Sequence, residues 1–542
     1  MDIKYVLILL VGWVVISLVA CVREDVPSNR PPFVSADSAI QVTRTSALLV
    51  GTLEIPANSR VDFCRFCYGT APDCITVVDC PLESGTVTAR LENLEPGTTY
   101  FYYLEAGTEA HRIISAMREF MTRPNQAPVL EPVMVEGQGP FSAIVSSRVE
   151  DNGGTEVTSI GFEYGVGNDL SEIDAVWEDG RFSVRIADLK PHMTYTLRAF
   201  AENSVGRTYS ESVELTTGDA FVWKKPGLLS KLIGETYKYE LEQMILAGPL
   251  DGTDVRLLRE MAGAGNFGED TPGRLAVLDM TDASIVEGGL AYDGQHYTTD
   301  RVVGNGMFKG CLTLREVRLP YDVVTVEADA FAGCESLERL VIGESLESLV
   351  PSAGCTSLTA IEVVGANHCF SSLEGVCYDK AGTSLWWYPL GKDDEHLTLS
   401  PSLVRLGDYA LQGCRAKSVE LPASLRELGR GTFCDAGLLE TLAVPSGVES
   451  LPTAVFQHCN SLRSVVLGSG VAYLGDYCWD GCRALTDLYV EAELPPVCQE
   501  FTFGGAGDLF GRCVLHVPAR ALDIYRNHPA WGRFSRIVPL SE

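Results

Sequence analysis

The stretch Leu462-Arg463-Ser464-Val465-Val466-Leu467, then Val471-Ala472-Tyr473-Leu474-Gly475-Asp476-Tyr477-Cys478-Trp479-Asp480-Gly481-Cys482, then Leu485-Thr486-Asp487-Leu488-Tyr489-Val490 decides the fold. Its first and last pieces share one pattern, Leu-x-x-Val/Leu-x-Leu/Val, and Val465 and Leu488 are 23 residues apart. Between them lies a second half-unit, an apolar residue followed by four others and then a large apolar one (Leu474 with Trp479), closed by Gly-Cys. A period of about 23 residues marks a repeat architecture. One such unit cannot bury its own apolar side chains, so several must stack to share an interior.

Read outward, the pattern covers the C-terminal half. The strand-like half returns at Leu314/Val317/Leu319, Leu337/Leu340/Ile342, Leu358/Ile361/Val363 and Leu439/Leu442/Val444. The second half returns as Val303 with Phe308, Val326 with Phe331, Leu406 with Leu411, Leu428 with Phe433 and Leu451 with Phe456. Gly-Cys follows at Cys311, Cys334, Cys355, Cys414 and Cys482. The first half is expected to form one short parallel strand per coil. Phe308, Phe331, Phe433, Phe456 and Trp479 are expected to plug the core from the opposite wall. These motifs resemble the BspA-like leucine-rich repeats of bacterial surface proteins, over roughly residues 302–540. The stretches Leu373–Asp379 and Leu385–Pro389 lack the Phe-Gly-Cys unit and resemble the hairpin-like variant of that family. Tyr525, Trp531, Phe534 and Ile537 resemble its closing cap.

Upstream, residues 33–122 and 126–217 alternate apolar and polar in short runs parted by turn residues, the mark of antiparallel sandwiches. Leu94-Glu95-Pro96-Gly97-Thr98-Thr99-Tyr100 returns as Leu189-Lys190-Pro191-His192-Met193-Thr194-Tyr195. Leu-x-Pro-x-x-x-Tyr before an alternating strand resembles the fibronectin type III turn, so two such modules are expected, with Pro124 and Pro128 at their joint. Residues 218–300 read as an N-terminal cap of the repeats (301–542). Helix-like spacing runs over Leu228–Leu246 and Val255–Met261, and a strand over Leu275–Leu278. The fold class is therefore mainly β: two sandwiches, then a leucine-rich-repeat solenoid.

The N-terminus carries Lys4 and then an apolar run from Tyr5 to Ala20. The run is short for a membrane span and reads as a signal peptide. It ends Leu18-Val19-Ala20-Cys21, which resembles a bacterial lipobox, so residues 1–21 are expected to be the leader and Cys21 the lipidated residue, anchoring the chain to the outer membrane. Val22-Arg23-Glu24-Asp25 opens a tether (22–32) and resembles the acidic export tag of Bacteroidetes surface lipoproteins.

Charge narrows the partners. Lys plus Arg total 42 and Asp plus Glu 72, a net charge of −30, which repels nucleic acid and anionic headgroups. No cofactor is expected. Gly263-Ala264-Gly265-Asn266-Phe267-Gly268 spells GxGxxG but follows a helical stretch, without the strand-turn-helix context of a dinucleotide site. The eight His residues are dispersed, with no HExxH and no metal-like pair. GxSxG is absent. Of the seventeen cysteines, those in the Gly-Cys slot are expected as free, buried thiols. Cys64-x-x-Cys67 suggests zinc or redox work, yet residues three apart on a strand face opposite sides. One disulfide fits the sequence better than a metal, Cys74 with Cys80 for example, and the pairing among Cys64, Cys67, Cys74 and Cys80 stays open.

Binding is the expected role, not catalysis. Between the last two apolar positions of each strand one residue points outward: Arg318, Val341, Glu362, Glu420, Ala443, Val466 and Tyr489. A row of exposed apolar and aromatic groups can anchor a partner. The family resemblance implies adhesion to host matrix proteins or to other cells; capture of a glycan or peptide for nutrient uptake is the alternative. Trp386 and Trp387 invite a carbohydrate-stacking reading, against partial core packing.

Overall fold

A computed structural model describes residues 31–57, 59–108, 111–178 and 180–540. Cys21, the apolar run before it and residues 22–30 of the tether lie outside the described residues. The chain divides into two compact units, the first holding residues up to Val129 with 151–158 and 202–208, the second the remainder.

The first unit is built on two antiparallel sheets. Phe33–Ala36, Ala47–Glu54 and Gly85–Leu91 form one; Phe63–Gly69, Thr76–Asp79, Thr99–Thr108, His111–Ile114 and Arg118–Met121 form the other. Alternation places Leu49, Leu53, Phe66, Val87, Tyr102 and Leu104 between the sheets, all nearly or fully buried. The Leu-x-Pro-x-x-x-Tyr turn explains itself here. Tyr100 accepts a hydrogen bond at its hydroxyl from the Glu95 N–H at 2.9 Å, and the Thr122 hydroxyl donates to the Glu95 carbonyl at 2.6 Å. The second unit repeats the corner atom for atom: the Lys190 N–H donates to the Tyr195 hydroxyl at 2.8 Å, and the Thr217 hydroxyl to the Lys190 carbonyl at 2.6 Å. A buried turn must satisfy its backbone groups, and in both modules Tyr and Thr do so.

The expected Cys74–Cys80 disulfide is corrected. The sixteen described cysteines are free thiols. The Cys74 thiol donates to the Phe101 carbonyl at 3.3 Å, whereas the Cys80 thiol neighbours that of Cys64. The strand partners of Phe63–Gly69 decide this, since Cys80 donates its backbone N–H to the Cys64 carbonyl at 2.8 Å.

In the second unit one sheet runs through ten strands. Val176–Glu178, Arg181–Ile186, Ala143–Ser147 and Met134–Gln138 are antiparallel and belong to the second sandwich. Met134–Gln138 then pairs with Ala220–Trp223, and from there the pairing turns parallel: Gln243–Ala247, Val277–Asp279, Glu316–Arg318, Arg339–Ile342 and Ala360–Val363. The parallel stack thus begins inside the segment read as a cap. Helix-like spacing over Leu228–Leu246 is corrected accordingly. The helix spans Leu229–Tyr237, and Gln243–Ala247 is a strand, recruited by partners on both sides that place Met244 and Leu246 in the core. A second helix, Gly252–Met261, is capped by Asp251 and Asp254 through a capping box.

Asp254 is almost fully buried and accepts from the backbone N–H groups of Gly227 (2.7 Å) and Leu229 (3.1 Å). Burial outweighs those bonds, with the Asp251 charge acting in the same sense, and its carboxyl is pushed up to about 6. The folded state therefore holds this proton more tightly than the unfolded chain. Its contribution is full below the ordinary carboxyl range and is lost as pH rises through about 6, a difference of about 3 kcal/mol. Urea unfolding of the wild type and of Asp254→Asn across that window is expected to show the wild type losing stability relative to the variant as pH rises. Parallel curves would contradict the assignment.

Past Ala360–Val363 a hairpin, Phe370–Leu373 with Val376–Asp379, interrupts the stack, in the place expected for the hairpin-like variant. Seven more parallel strands follow: His396–Thr398, Ser418–Glu420, Thr441–Val444, Ser464–Leu467, Asp487–Val490, Val514–Val517 and Arg536–Pro539. On the opposite wall Phe308 stacks on Phe331 (5.5 Å), Phe433 on Phe456 (5.8 Å) and Phe456 on Trp479 (5.3 Å), all five side chains buried. The slot cysteines lock the coils together. Cys334, Cys355 and Cys482 donate their thiols to the carbonyls of Phe308, Phe331 and Phe456 one coil back, at 3.0–3.2 Å, and Cys459 does the same to Phe433. Burial pushes Cys311, Cys355 and Cys482 up to about 12, so they persist as thiols and not as nucleophiles. Gly263–Gly268 follows the helix Gly252–Met261 as a turn.

Candidate binding face

Parallel pairing in register lines the outward residues into rows, each about 4.8 Å from the next. In the first stack Asp279, Arg318, Val341 and Glu362 are direct partners across successive strands. Arg318 bonds Glu316 at 2.8 Å and lies 3.7 Å from Asp279; Arg339 bridges Glu316 at 3.2 Å and Glu362 at 2.6 Å. The Arg339 guanidinium holds the Glu362 carboxyl below the usual carboxylate range. Arg318 and Glu362 are thus engaged along the face itself. Such half-exposed pairs add little to stability; here they neutralise one another around Val341.

The second stack differs. Glu420 pairs with Thr398, whose hydroxyl donates to its carboxylate at 3.2 Å. Ala443, Val466, Tyr489 and His516 then follow in register. The Tyr489 and His516 rings lie parallel with centroids 4.1 Å apart. The His516 ring is held from the side by Asp487 at 3.0 Å. Burial opposes ionisation of Asp487, but hydrogen bonds from His516 and Thr486 outweigh it and hold the carboxyl below its usual range. The result is a small apolar and aromatic ridge pinned by its neighbours.

His516 is absent from the motif-based row because its coil lacks the leading leucine. Arg512 stands there instead and donates to the Cys482 and Ala506 carbonyls at 2.8 and 3.1 Å. Val514-Leu515-His516-Val517 was legible only through its last two apolar positions. A second aromatic pair also escapes the motif: Tyr477 and Phe501, stacked at 5.8 Å and both exposed, on the opposite wall. Trp387 is buried, while Trp386 lies edge-on to Phe370 at 5.7 Å with Arg405 over its ring, the core-packing arrangement.

The sequence holds no metal-like histidine pair, but the fold places one histidine beside a thiol and two carboxylates. His458 Nδ1 lies 3.0 Å from Asp435 and Nε2 3.8 Å from Asp480, and the Cys434 thiol meets Asp435 at 3.3 Å. Cys434-Asp435, His458 and Asp480 come from three successive coils, and only stacking of those coils brings them together. Elsewhere in the second unit a groove of about 550 Å³ is lined by Glu136, Glu178, Arg181, Arg185, Lys225 and Lys231 among others. Its charges pair locally, Lys231 with Glu178 at 3.1 Å and Lys225 with Glu136 at 3.6 Å.

Comparison with known families matches residues 298–374 and 392–503 to the BspA type Leucine rich repeat region, in six copies. The matched segments, residues 298–374 and 392–503, carry leucine-rich repeats of the BspA type. A leucine rich cell surface protein from Faecalibacterium prausnitzii is similar at 17% identity, over 62% of this chain and 96% of that one, with a TM-score of 0.36. A leucine-rich repeat protein from Eubacterium ventriosum is similar at 16% identity, over 46% and 76%, with a TM-score of 0.33. A two-module fibronectin type III segment of chicken tenascin is similar at 19% identity, over 34% and 99%, with a TM-score of 0.20. A comparison with curated proteins finds no match.

Proposed function

We propose that this chain is a lipid-anchored protein of the outer membrane, facing the cell exterior, that binds an extracellular protein through the strand face of its BspA-type repeats. One observation carries the reading: the in-register row Ala443, Val466, Tyr489, His516 presents apolar and aromatic groups on the second stack, whereas the outward charges of the first stack neutralise one another in ion pairs. Interfaces concentrate their energy in a few such aromatic anchors. The two upstream sandwiches, in this reading fibronectin type III-like, serve as a stalk, and the repeats act as a binder and not as an enzyme. Ligands in this class are host matrix proteins or proteins of other cells; the breadth of the row favours a protein over a glycan.

Solid-phase binding to matrix proteins, run beside a glycan array, tests the first part. Tyr489→Glu and Val466→Glu put a charge into the row without touching the core, and each is expected to weaken binding by about tenfold or more with the thermal midpoint unchanged. Retained affinity in both would move the site off this face. For the second part, Cys21→Ser is expected to release the protein from the membrane fraction, and protease added to intact cells to remove the wild-type repeats. Protection of the repeats from external protease would refute surface display.

A further inference from the structure

The position before the slot cysteine in each coil takes up positive φ, which L side chains rarely adopt. Gly310, Gly333, Gly413 and Gly481 hold it, with φ of 71–72°. Two adjacent coils break the rule. Asp435 (φ 60°) and His458 (φ 61°) occupy the same place, at a steric cost that glycine avoids. One position earlier, where other coils carry Lys309, Ala332 or Gln412, these coils and the next carry Cys434, Gln457 and Asp480. The departures from the repeat thus fall together: Cys434, Asp435 and His458 have side chains of metal-ligating type within reach of one another, and Gln457 and Asp480 lie beside them.

We propose that Cys434, Asp435 and His458 form a site for a borderline-soft divalent metal ion of the zinc type, with Asp480 as the outer carboxylate that orients the imidazole. One ligand atom from each of the three lies within 4.8 Å of the others. Tetrahedral zinc, with bonds of about 2.0–2.3 Å, sets its ligand atoms about 3.3–3.8 Å apart, so side-chain rotation suffices to close the site. Asp435 presents Oδ2 to the Cys434 thiol and Oδ1 to His458 Nδ1, the arrangement of a carboxylate between two further ligands. The supporting shell is in place. Gln412 Nε2 donates to Asp435 Oδ2 at 3.1 Å, and Gln457 Nε2 to Asp480 Oδ2 at 2.8 Å. Asp480 lies 3.8 Å from the distal Nε2 of His458, so that a small side-chain rotation gives the carboxylate–histidine hydrogen bond that fixes the tautomer of a ligating imidazole. Thiol and imidazole select against calcium and magnesium, which take oxygen ligands. Asp435 and His458 are about half exposed, so an ion reaches the site from solvent, and three protein ligands leave a fourth position for water or for a partner's side chain. Binding ejects one proton from the Cys434 thiol.

Cobalt(II) titration of the chelator-treated full chain tests this. The wild type is expected to take up one equivalent, with tetrahedral d–d bands and a thiolate-to-cobalt charge-transfer band, both bleached by added zinc. Asp435→Gly and His458→Gly install the residue that neighbouring coils carry, so folding is retained, and both are expected to lose the bands. Cys434→Ser should lose the charge-transfer band in particular, and Asp480→Asn should weaken binding by about tenfold or more. No band in the wild type, or bands of equal intensity in the folded glycine variants, would overturn the site and leave His458 as an ion-pair partner of the two aspartates only.

Discussion

Phe456→Ala is expected to destabilise the repeats by about 3–5 kcal/mol, the range for truncating a fully buried aromatic. Phe456 has no solvent exposure and stands between two other rings, Phe433 at 5.8 Å and Trp479 at 5.3 Å, tilted by 17° and 26°. Removing it opens a cavity lined by side chains of three coils, which cannot all collapse inward because their strands are pinned in register on both walls. Offset stacking with two neighbours is lost as well. A repeat array is stabilised by nearest-neighbour interfaces, so the effect should be regional. Hydrogen exchange is expected to accelerate most between Phe433 and Cys482, and the urea transition to move to lower denaturant or to split. Leu438→Ala serves as control: that side chain is half exposed and should cost within about 0.5 kcal/mol. A Phe456 variant no less stable than the control would mean that the aromatic column does not hold the coils together.

Asn367→Ala is expected to cost about 4 kcal/mol, through polar groups and not through volume. Asn367 is fully buried and uses all of its hydrogen-bonding capacity. Its amide nitrogen donates to the Gly343 carbonyl at 2.9 Å and the Leu346 carbonyl at 3.1 Å, while its oxygen accepts from the Cys369 and Phe370 N–H groups at 2.8 and 2.7 Å. One side chain thus ties the coil before the break to the hairpin that makes the break. Alanine leaves two donors and two acceptors without their partner, and the three of these bonds that are buried each cost about 1–3 kcal/mol to lose unless water enters. Asn367→Asp separates charge from shape, since a carboxylate satisfies the two N–H groups but faces two carbonyls without a donor; it too is expected to destabilise, with partial recovery at low pH. Thermal unfolding and protease susceptibility of Phe370–Asp379 give the readout. Wild-type stability in both variants would show that the hairpin is held by its apolar contacts alone.

Periodicity alone determined the repeat half. Apolar positions returning every 23 residues or so admit one solution, stacked coils with a shared interior, because no single coil buries its own side chains. Phe308, Phe331, Phe433, Phe456 and Trp479 were therefore legible as core, as was the tyrosine of each sandwich turn. What pairs with what was decided only in three dimensions. Periodic spacing over Leu228–Leu246 fits a helix locally, but strands on both sides of Gln243–Ala247 offer backbone partners and overrode it. Cys80 met Cys64 and not Cys74 because strand register, not separation along the chain, sets which thiols adjoin. Arg318 and Glu362 looked like free ligands one by one; the parallel ladder turned them into each other's neighbours through Arg339. Cys434-Asp435, His458 and Asp480 lie on three separate coils and are adjacent in space for the same reason. Stacking converts a repeat length into a contact, and a linear reading sees the length before it sees which side chains that contact joins.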